Sequence, residues 1–364
     1  MRRGLQVFIT VAAVCCLLSG CALWMDGSRY SVTPHLEENA SPEKETVEIS
    51  SYIELRESLA ELVENGRTSE IIYVSGFDEQ QLEGYMNIAI QYLQEGHAIG
   101  AYALNGIEYE IGTSAGQKAI AVEISYNHNR GEIMHVKKTT HMKDANNLII
   151  KALENCEASI VLQVDQYQTT DFPLMIQNYV EENPNLCMEV PQVAVSLYPD
   201  SGLERVIELS FTYQTNRDTL RSMQSMVRPV FASAELYVSG DADRWEKYSQ
   251  LFSFLMERYD YKIETSITPA YSLLRHGVGD SKAFALVYAA MCRQAELDCQ
   301  VVSGTRGGEP WNWNVLHLDG VYYYVDLLRC DEEGSFTAKM EAEMEGYVWD
   351  YSAYVSDPIP EEDV

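Results

Sequence analysis

The chain predicts an α+β fold: a duplicated αβαββ region in the N-terminal half, followed by a helix-and-hairpin core. Three observations carry this expectation. The order helix, strand, helix, strand, strand occurs twice between residues 51 and 215, at an offset of roughly 87–90 residues. Gly277 to Leu327 switches from helical spacing of apolar residues to strict alternation around a tight turn. Residues 1–50 share neither pattern and stand apart as a leader and a linker.

Residues 1–20 read as a signal peptide. Arg2 and Arg3 form a positive start, and Val7 to Leu18 is apolar but too short to span a bilayer comfortably. The run ends Leu18-Ser19-Gly20-Cys21, which resembles the bacterial lipobox. That resemblance implies cleavage before Cys21, a lipid anchor (palmitate or a similar acyl chain) on Cys21, and an extracytoplasmic place at the cell membrane. Residues 21–50 are polar, without apolar periodicity, and read as a flexible tether.

The sequence holds 26 basic and 55 acidic residues, a formal charge of −29. Removing residues 1–20 takes away Arg2 and Arg3 and no acid, leaving 24 basic residues and −31. Such a surface repels nucleic acid and anionic lipid headgroups, so neither is an expected partner. There is no Asp-x-Asp-x-Asp-Gly loop for calcium, and the cysteine spacing matches no zinc pattern. No metal or other cofactor is expected. With Cys21 acylated, five cysteines remain, Cys156, Cys187, Cys292, Cys299 and Cys330, so at least one is unpaired. Their pairing is open: an extracytoplasmic setting permits disulfides, but Cys292 on an apolar helix and Cys299 at a strand start fit buried thiols equally well.

The first repeat occupies residues 51–140. It predicts a helix over 52–64 closed by Asn65-Gly66, a strand over 71–74, and a helix over 79–93 capped by Asp78. Strands follow near 98–104, 108–111 and 119–126. The second repeat, 141–216, predicts a helix over 145–155 and a strand over 159–164. A helix opens at Asp171-Phe172-Pro173, where a proline costs no hydrogen bond, and strands follow near 187–197 and 206–213. Segments beginning at Glu64 and Glu154, ENGRTSEIIYVSGF and ENCEASIVLQVDQY, correspond, as do VEISYNHNRGEI and LSFTYQTNRDTL.

Residues 217–364 form the last predicted domain. Helices are expected over 220–230 and 243–257, the second with an apolar stripe through Trp245, Tyr248, Leu251, Phe252, Leu255 and Met256. Asp280 is a good cap for a helix whose apolar face is Ala283, Leu286, Ala289 and Ala290. Asn314 to Leu318 and Val321 to Leu327 flank Asp319-Gly320, a strong hairpin signal. Pairing 317 with 322 and 315 with 324 puts Trp311, Trp313, Val315, His317, Tyr322, Tyr324 and Asp326 on one face. Beyond Asp326 the chain reads as acidic and irregular, with a short helix near 338–344 and many aromatic residues up to Tyr354.

Gly-Asp-Ser-Lys entering a helix, then Trp-Asn-Trp-Asn, Asp-Gly and Tyr-Tyr-Val-Asp, resembles the transglutaminase-like superfamily over roughly residues 260–330. The resemblance implies a papain-like fold with a Cys-His-Asp triad. Ser281 stands where that family has its cysteine, Trp311 where it has its histidine, and Asp326 at the acid position. A serine hydroxyl needs a neighbouring base, and an indole only donates. His317 lies six residues from position 311, about 20 Å along a strand and out of reach. His276, five residues before Ser281, remains open as a base.

The expected function is therefore a pseudoenzyme: a transglutaminase-like domain, no longer catalytic, that binds a peptide, a cell-wall fragment or a protein. Asp280, Ser281, Trp311, Trp313 and Asp326 are the candidate cleft residues. One alternative is an active hydrolase or acyltransferase using Ser281 with another base. A second is a structural or assembly lipoprotein acting through its repeats.

Overall fold

The computed structural model describes residues 48–263 and 266–353. The predicted signal peptide, Cys21, most of the tether and Tyr354 lie outside the described residues. The first module opens with α1 (Tyr52–Glu64), started by Ser51 in a reciprocal capping box with Glu54. Then come β1 (Ser69–Tyr73), α2 (Glu79–Glu95), α3 (Ala98–Ala103), β2 (Leu104–Ser114) and β3 (Gln117–Tyr126). The antiparallel sheet has the order β1-β3-β2. The strand expected near 98–104 is instead α3, because His97 caps it through its ring and Gly100 lets it press against α2. A Cβ on Gly100 would stand 2.1 Å from the Leu93 carbonyl oxygen. Apolar character alone did not distinguish a short buried helix from a strand.

A short helix α4 (Arg130–Met134) and strand β4 (Lys137–His141) lead into the second module, and neither was anticipated. The module continues through α5 (Met142–Glu154), β5 (Ser159–Gln166), α6 (Phe172–Glu182), β6 (Gln192–Tyr198) and β7 (Arg205–Thr212). Its sheet runs β4-β5-β7-β6. The order β5-β7-β6 repeats β1-β3-β2, and every pair within each triplet is antiparallel. The parallel partner β4, immediately before α5, has a counterpart in the first module. There Ile49, immediately before α1, bridges Val74 in parallel. The strand expected from 187 begins only at Gln192, because Cys187, Met188 and Glu189 are buried in the preceding loop. Glu189 is held there by the main-chain N–H groups of Gln214 and Thr215.

Each module buries one face of its sheet under its helices, and Val206 of β7 joins the first module's core. His97 sits near this junction. Its Nδ1 accepts the Gly100 N–H at 3.1 Å, and its Nε2 lies 3.3 Å from Glu64, which also binds Lys138 of β4. Burial lowers its pKa below the ordinary histidine value, with Glu64 and Glu204 pulling the other way. Below about pH 6.5 the unfolded chain therefore binds the proton more readily, so stability rises with pH through that region. Thermal melts from pH 7.5 down to pH 5 are expected to show falling stability. His97→Asn, which keeps a cap acceptor but does not titrate, should flatten the slope. An unchanged slope in that variant would assign the acid sensitivity elsewhere.

The C-terminal part begins with two long helices, α7 (Arg217–Tyr237) and α8 (Arg244–Met256). Then follow β8 (Asp260–Tyr261), α9 (Pro269–His276), β9 (Val278–Gly279) and α10 (Ser281–Gln294). The chain continues through β10 (Cys299–Arg306), β11 (Glu309–Leu318), β12 (Val321–Val325), α11 (Leu327–Glu333) and β13 (Tyr347–Val348). Helix α10 is the axis. The sequence suggested one apolar face, but every residue from Ala283 to Cys292 is buried, so the helix is enclosed on all sides. Helices α7, α8 and α9 surround it together with one face of the sheet β12-β11-β10-β13. The other face carries a second core of Val302, Trp313, Val315, Tyr324, Met344, Tyr347 and Trp349. Gly304 is required there, since a Cβ would fall 2.2 Å from the Val348 carbonyl oxygen. The five cysteines are buried and free.

Candidate functional site

Ser281 is placed by a short chain of local causes. Helix α9 ends on Gly277 in the left-handed conformation (φ 81°), which turns the chain into β9. Gly279 packs so closely on α10 that a Cβ would meet that of Ala283 at 2.8 Å. Asp280 then caps α10, accepting the Ala283 N–H at 2.9 Å, and Ser281 is the first helical residue, 8 % exposed. Its Oγ accepts the main-chain N–H of Asn312 on β11 at 3.2 Å. The next helix turn is pinned to the same strand, where the buried Asn314 side chain donates to the Ala285 carbonyl at 2.9 Å.

The hairpin brings up the other two positions. The register pairs His317 with Tyr322 and Val315 with Tyr324, as the Asp319-Gly320 turn requires. Trp311 Nε1 donates to Asp326 Oδ2 at 2.9 Å. Asp326 is 6 % exposed and accepts two further bonds on the same oxygen, from Tyr347 Oη at 2.7 Å and Arg306 at 3.2 Å. Its Oδ1 takes the Arg329 N–H at 3.3 Å, capping α11. The sequence extended the strand through Leu327, but Asp326 ends it, because its carboxylate starts a helix. Burial and the bond to Asp326 push the Tyr347 hydroxyl pKa far above its ordinary value. The Arg306 guanidinium lies over the Trp311 ring, 5.2 Å from its centre, and Tyr261 of β8 packs against Trp311 at 5.6 Å.

The geometry therefore brings together Asp280, Ser281, Trp311 and Asp326. It separates Trp313 from them: that side chain is 1 % exposed and packs edge-on against Tyr347 and Trp349. Its place in a cleft is corrected, since the alternation that aligned it with Trp311 points it into the second core. The histidines are engaged elsewhere. His317 lies 3.2 Å from Asp298 and stacks on Tyr322. His276 is not in a loop but ends α9, exposed, with its ring edge-on to Tyr271. Sequence reading missed Arg306 and Tyr347. They lie on different strands from Asp326, and no spacing announces a partner on β13, a strand of two residues.

Chemically, the one hydrogen bond among the described residues at Ser281 Oγ comes from a main-chain donor. Asp326 is saturated by an indole, a phenol, a guanidinium and a main-chain N–H. No cluster of three or more His, Cys, Asp or Glu side chains among the described residues is arranged to hold a metal ion. None of the described helices is long and apolar enough to cross a membrane. Beside the residues flanking Ser281, a cavity of about 270 Å³ opens between α6 and the helices α9 and α10. Val180, Met188, Ile267 and Leu286 line its apolar walls, with Asp280 and Lys282 at the polar side. Lys282 binds Glu181 of α6 across it at 2.8 Å.

Known proteins resemble parts of this chain. Residues 232–353 match the family model of the transglutaminase-like superfamily. No curated protein matches the sequence. Among solved structures, a protein described as a TGase overlaps 65 % of this chain and 68 % of its own, at 9 % identity and a TM-score of 0.26. One provisionally titled a cysteine protease, from Cytophaga hutchinsonii, overlaps 43 % of this chain and 70 % of its own, at 11 % identity and the same TM-score of 0.26. Superpositions this partial say nothing of chemistry.

Proposed function

Residues 232–353 being a transglutaminase-like superfamily domain, we propose that the domain is a non-catalytic receptor in an extracytoplasmic, membrane-anchored lipoprotein. The observation that carries the reading is the Trp311–Asp326 hydrogen bond. In the family's pattern the acid orients a histidine that shuttles a proton. Here the indole takes the same bond and has no lone pair with which to accept one. A nucleophilic serine without a base is inert at neutral pH. Tyr261, Arg306 and Tyr347 close around the pair, so it acts as a rigid wall. The cavity at Asp280 and Lys282 then serves as a seat for an apolar side chain of a peptide, a cell-wall fragment or a protein partner.

The test is binding without conversion. The full chain is titrated with cell-wall peptide fragments and with unrelated peptides, followed by the fluorescence of its tryptophans, and the ligands are then recovered for mass spectrometry. A saturable change with ligand recovered intact supports the reading, and recovery of cleaved or cross-linked ligand contradicts it. The anchor is tested separately. Cys21→Ala is expected to accumulate an unprocessed precursor that takes up no labelled fatty acid. Normal processing of that variant would place cleavage elsewhere and remove the acyl anchor from the account.

A further inference from the structure

A second pocket lies at the far end of α10 from Ser281, about 20 Å along the helix axis. It holds about 360 Å³, between the loop after α6 and the helices α7 and α10. Its floor is apolar, formed by Leu186, Phe231 and Ala290, whereas Arg228, Arg293 and Asn185 supply polar groups around it. The Arg228 guanidinium and the Asn185 side chain make no hydrogen bond or ion pair among the described residues. Arg293 spends one nitrogen on the Glu182 carbonyl, and the rest of its fork is unspent. Among the described residues no carboxylate lines the cavity. Glu235 accepts from the lining Gln294 Nε2 at 2.6 Å.

Arg228 and Arg293 are exposed side chains on the lining of one pocket, and of the two only Arg293 has a protein partner among the described residues, the Glu182 carbonyl. Among the described residues no carboxylate enters the pocket to pair with them. The overall charge of −29 does not forbid an anion there, because exposed charges beyond about 8–10 Å are largely screened in physiological salt. A guanidinium fork matches a carboxylate with two parallel bonds, and an amide beside it adds a donor. The apolar floor asks for more than a bare ion. Its volume lies in the range of small-ligand sites.

We propose that this pocket binds a carboxylate carried on an apolar body, either the C-terminal residue of a peptide or a free aromatic or aliphatic acid. Arg228 and Arg293 grip the carboxylate, Asn185 donates beside them, and Phe231 and Leu186 hold the body. This site is independent of the Ser281 region and of the reading proposed for it.

The probe is N-acetyl-phenylalanine, titrated into the full chain by calorimetry, beside its C-terminal amide and inorganic phosphate. The acid is expected to bind saturably. The amide should bind at least tenfold more weakly, and phosphate should not compete at equal concentration. Arg228→Gln removes a side chain without a protein partner, so its melting temperature should match wild type while affinity for the acid falls tenfold or more. Extending the probe to N-acetyl-Ala-Ala-Phe separates the two sources: tighter binding identifies a peptide C-terminus, and unchanged or weaker binding identifies a free acid. Equal binding of acid and amide, undiminished binding by Arg228→Gln, competition by phosphate, or no binding of the acid at millimolar concentration would each overturn the proposal.

Discussion

Asp326→Ala is expected to destabilise the protein by about 3–5 kcal/mol, the range for removing one partner from a buried charged pair. The carboxylate is 6 % exposed and is the shared acceptor for Trp311, Tyr347 and Arg306. Truncating it leaves a half-buried indole N–H and a buried phenol without their acceptor, leaves Arg306 only Glu332 at 3.8 Å, and removes the cap of α11. Asp326→Asn keeps a carbonyl oxygen of similar reach and should lose less. Chemical denaturation of the three proteins measures both differences. A loss below about 1 kcal/mol in Asp326→Ala would mean that the network does not hold the domain together. In a working triad the same acid orients a catalytic group, so a large stability cost measured beside an assay for turnover separates the two roles.

The second large effect is expected from reversing the two departures at positions 281 and 311. Ser281→Cys alone puts a thiol at the N-terminus of α10, where the dipole favours the thiolate, but leaves no proton shuttle. It should gain no amide or acyl chemistry. Ser281→Cys with Trp311→His restores a potential base against Asp326. Moving a thiol pKa from about 8.5 to about 6 raises its thiolate fraction at pH 7 about 30-fold, so the initial rate of iodoacetamide labelling at position 281 should rise to match, less the lower nucleophilicity of the more acidic thiol. The smaller imidazole leaves space where Tyr261 and Arg306 now pack on the indole, so stability is expected to fall at the same time. Labelling no faster in the double variant than in Ser281→Cys would show that position 311 does not address position 281.

Much of this architecture is legible in the sequence because its signals are local. Asp280, Asp171 and Asp78 announce helix starts, Asp319-Gly320 fixes the hairpin register, and the two N-terminal modules share the order helix, strand, helix, strand, strand apart from the added α3. The structure adds that they share strand order as well. The misreadings have physical causes. Helix α3 is apolar and only six residues long, so composition could not separate it from a strand; its identity rests on the His97 cap and the contact of Gly100 with Leu93. Period-2 alternation puts Trp313 on one face with Trp311, but it does not say what covers that face. Met344, Tyr347 and Trp349 close over that face from a segment that reads as irregular. Arg306 and Tyr347 reach Asp326 only through tertiary folding, so nothing in their spacing announces them.

The central claim is that Ser281 has no base and that the domain binds without turning over. The most direct measurement is release of product from peptide amide, glutamine amide and activated ester substrates by the purified full chain, with Ser281→Ala assayed in parallel. The account predicts rates indistinguishable from buffer for both proteins across pH 6–9, together with an unchanged biological role for Ser281→Ala. Turnover by the wild-type protein that Ser281→Ala abolishes would contradict it and would make His276 the first residue to test as the missing base.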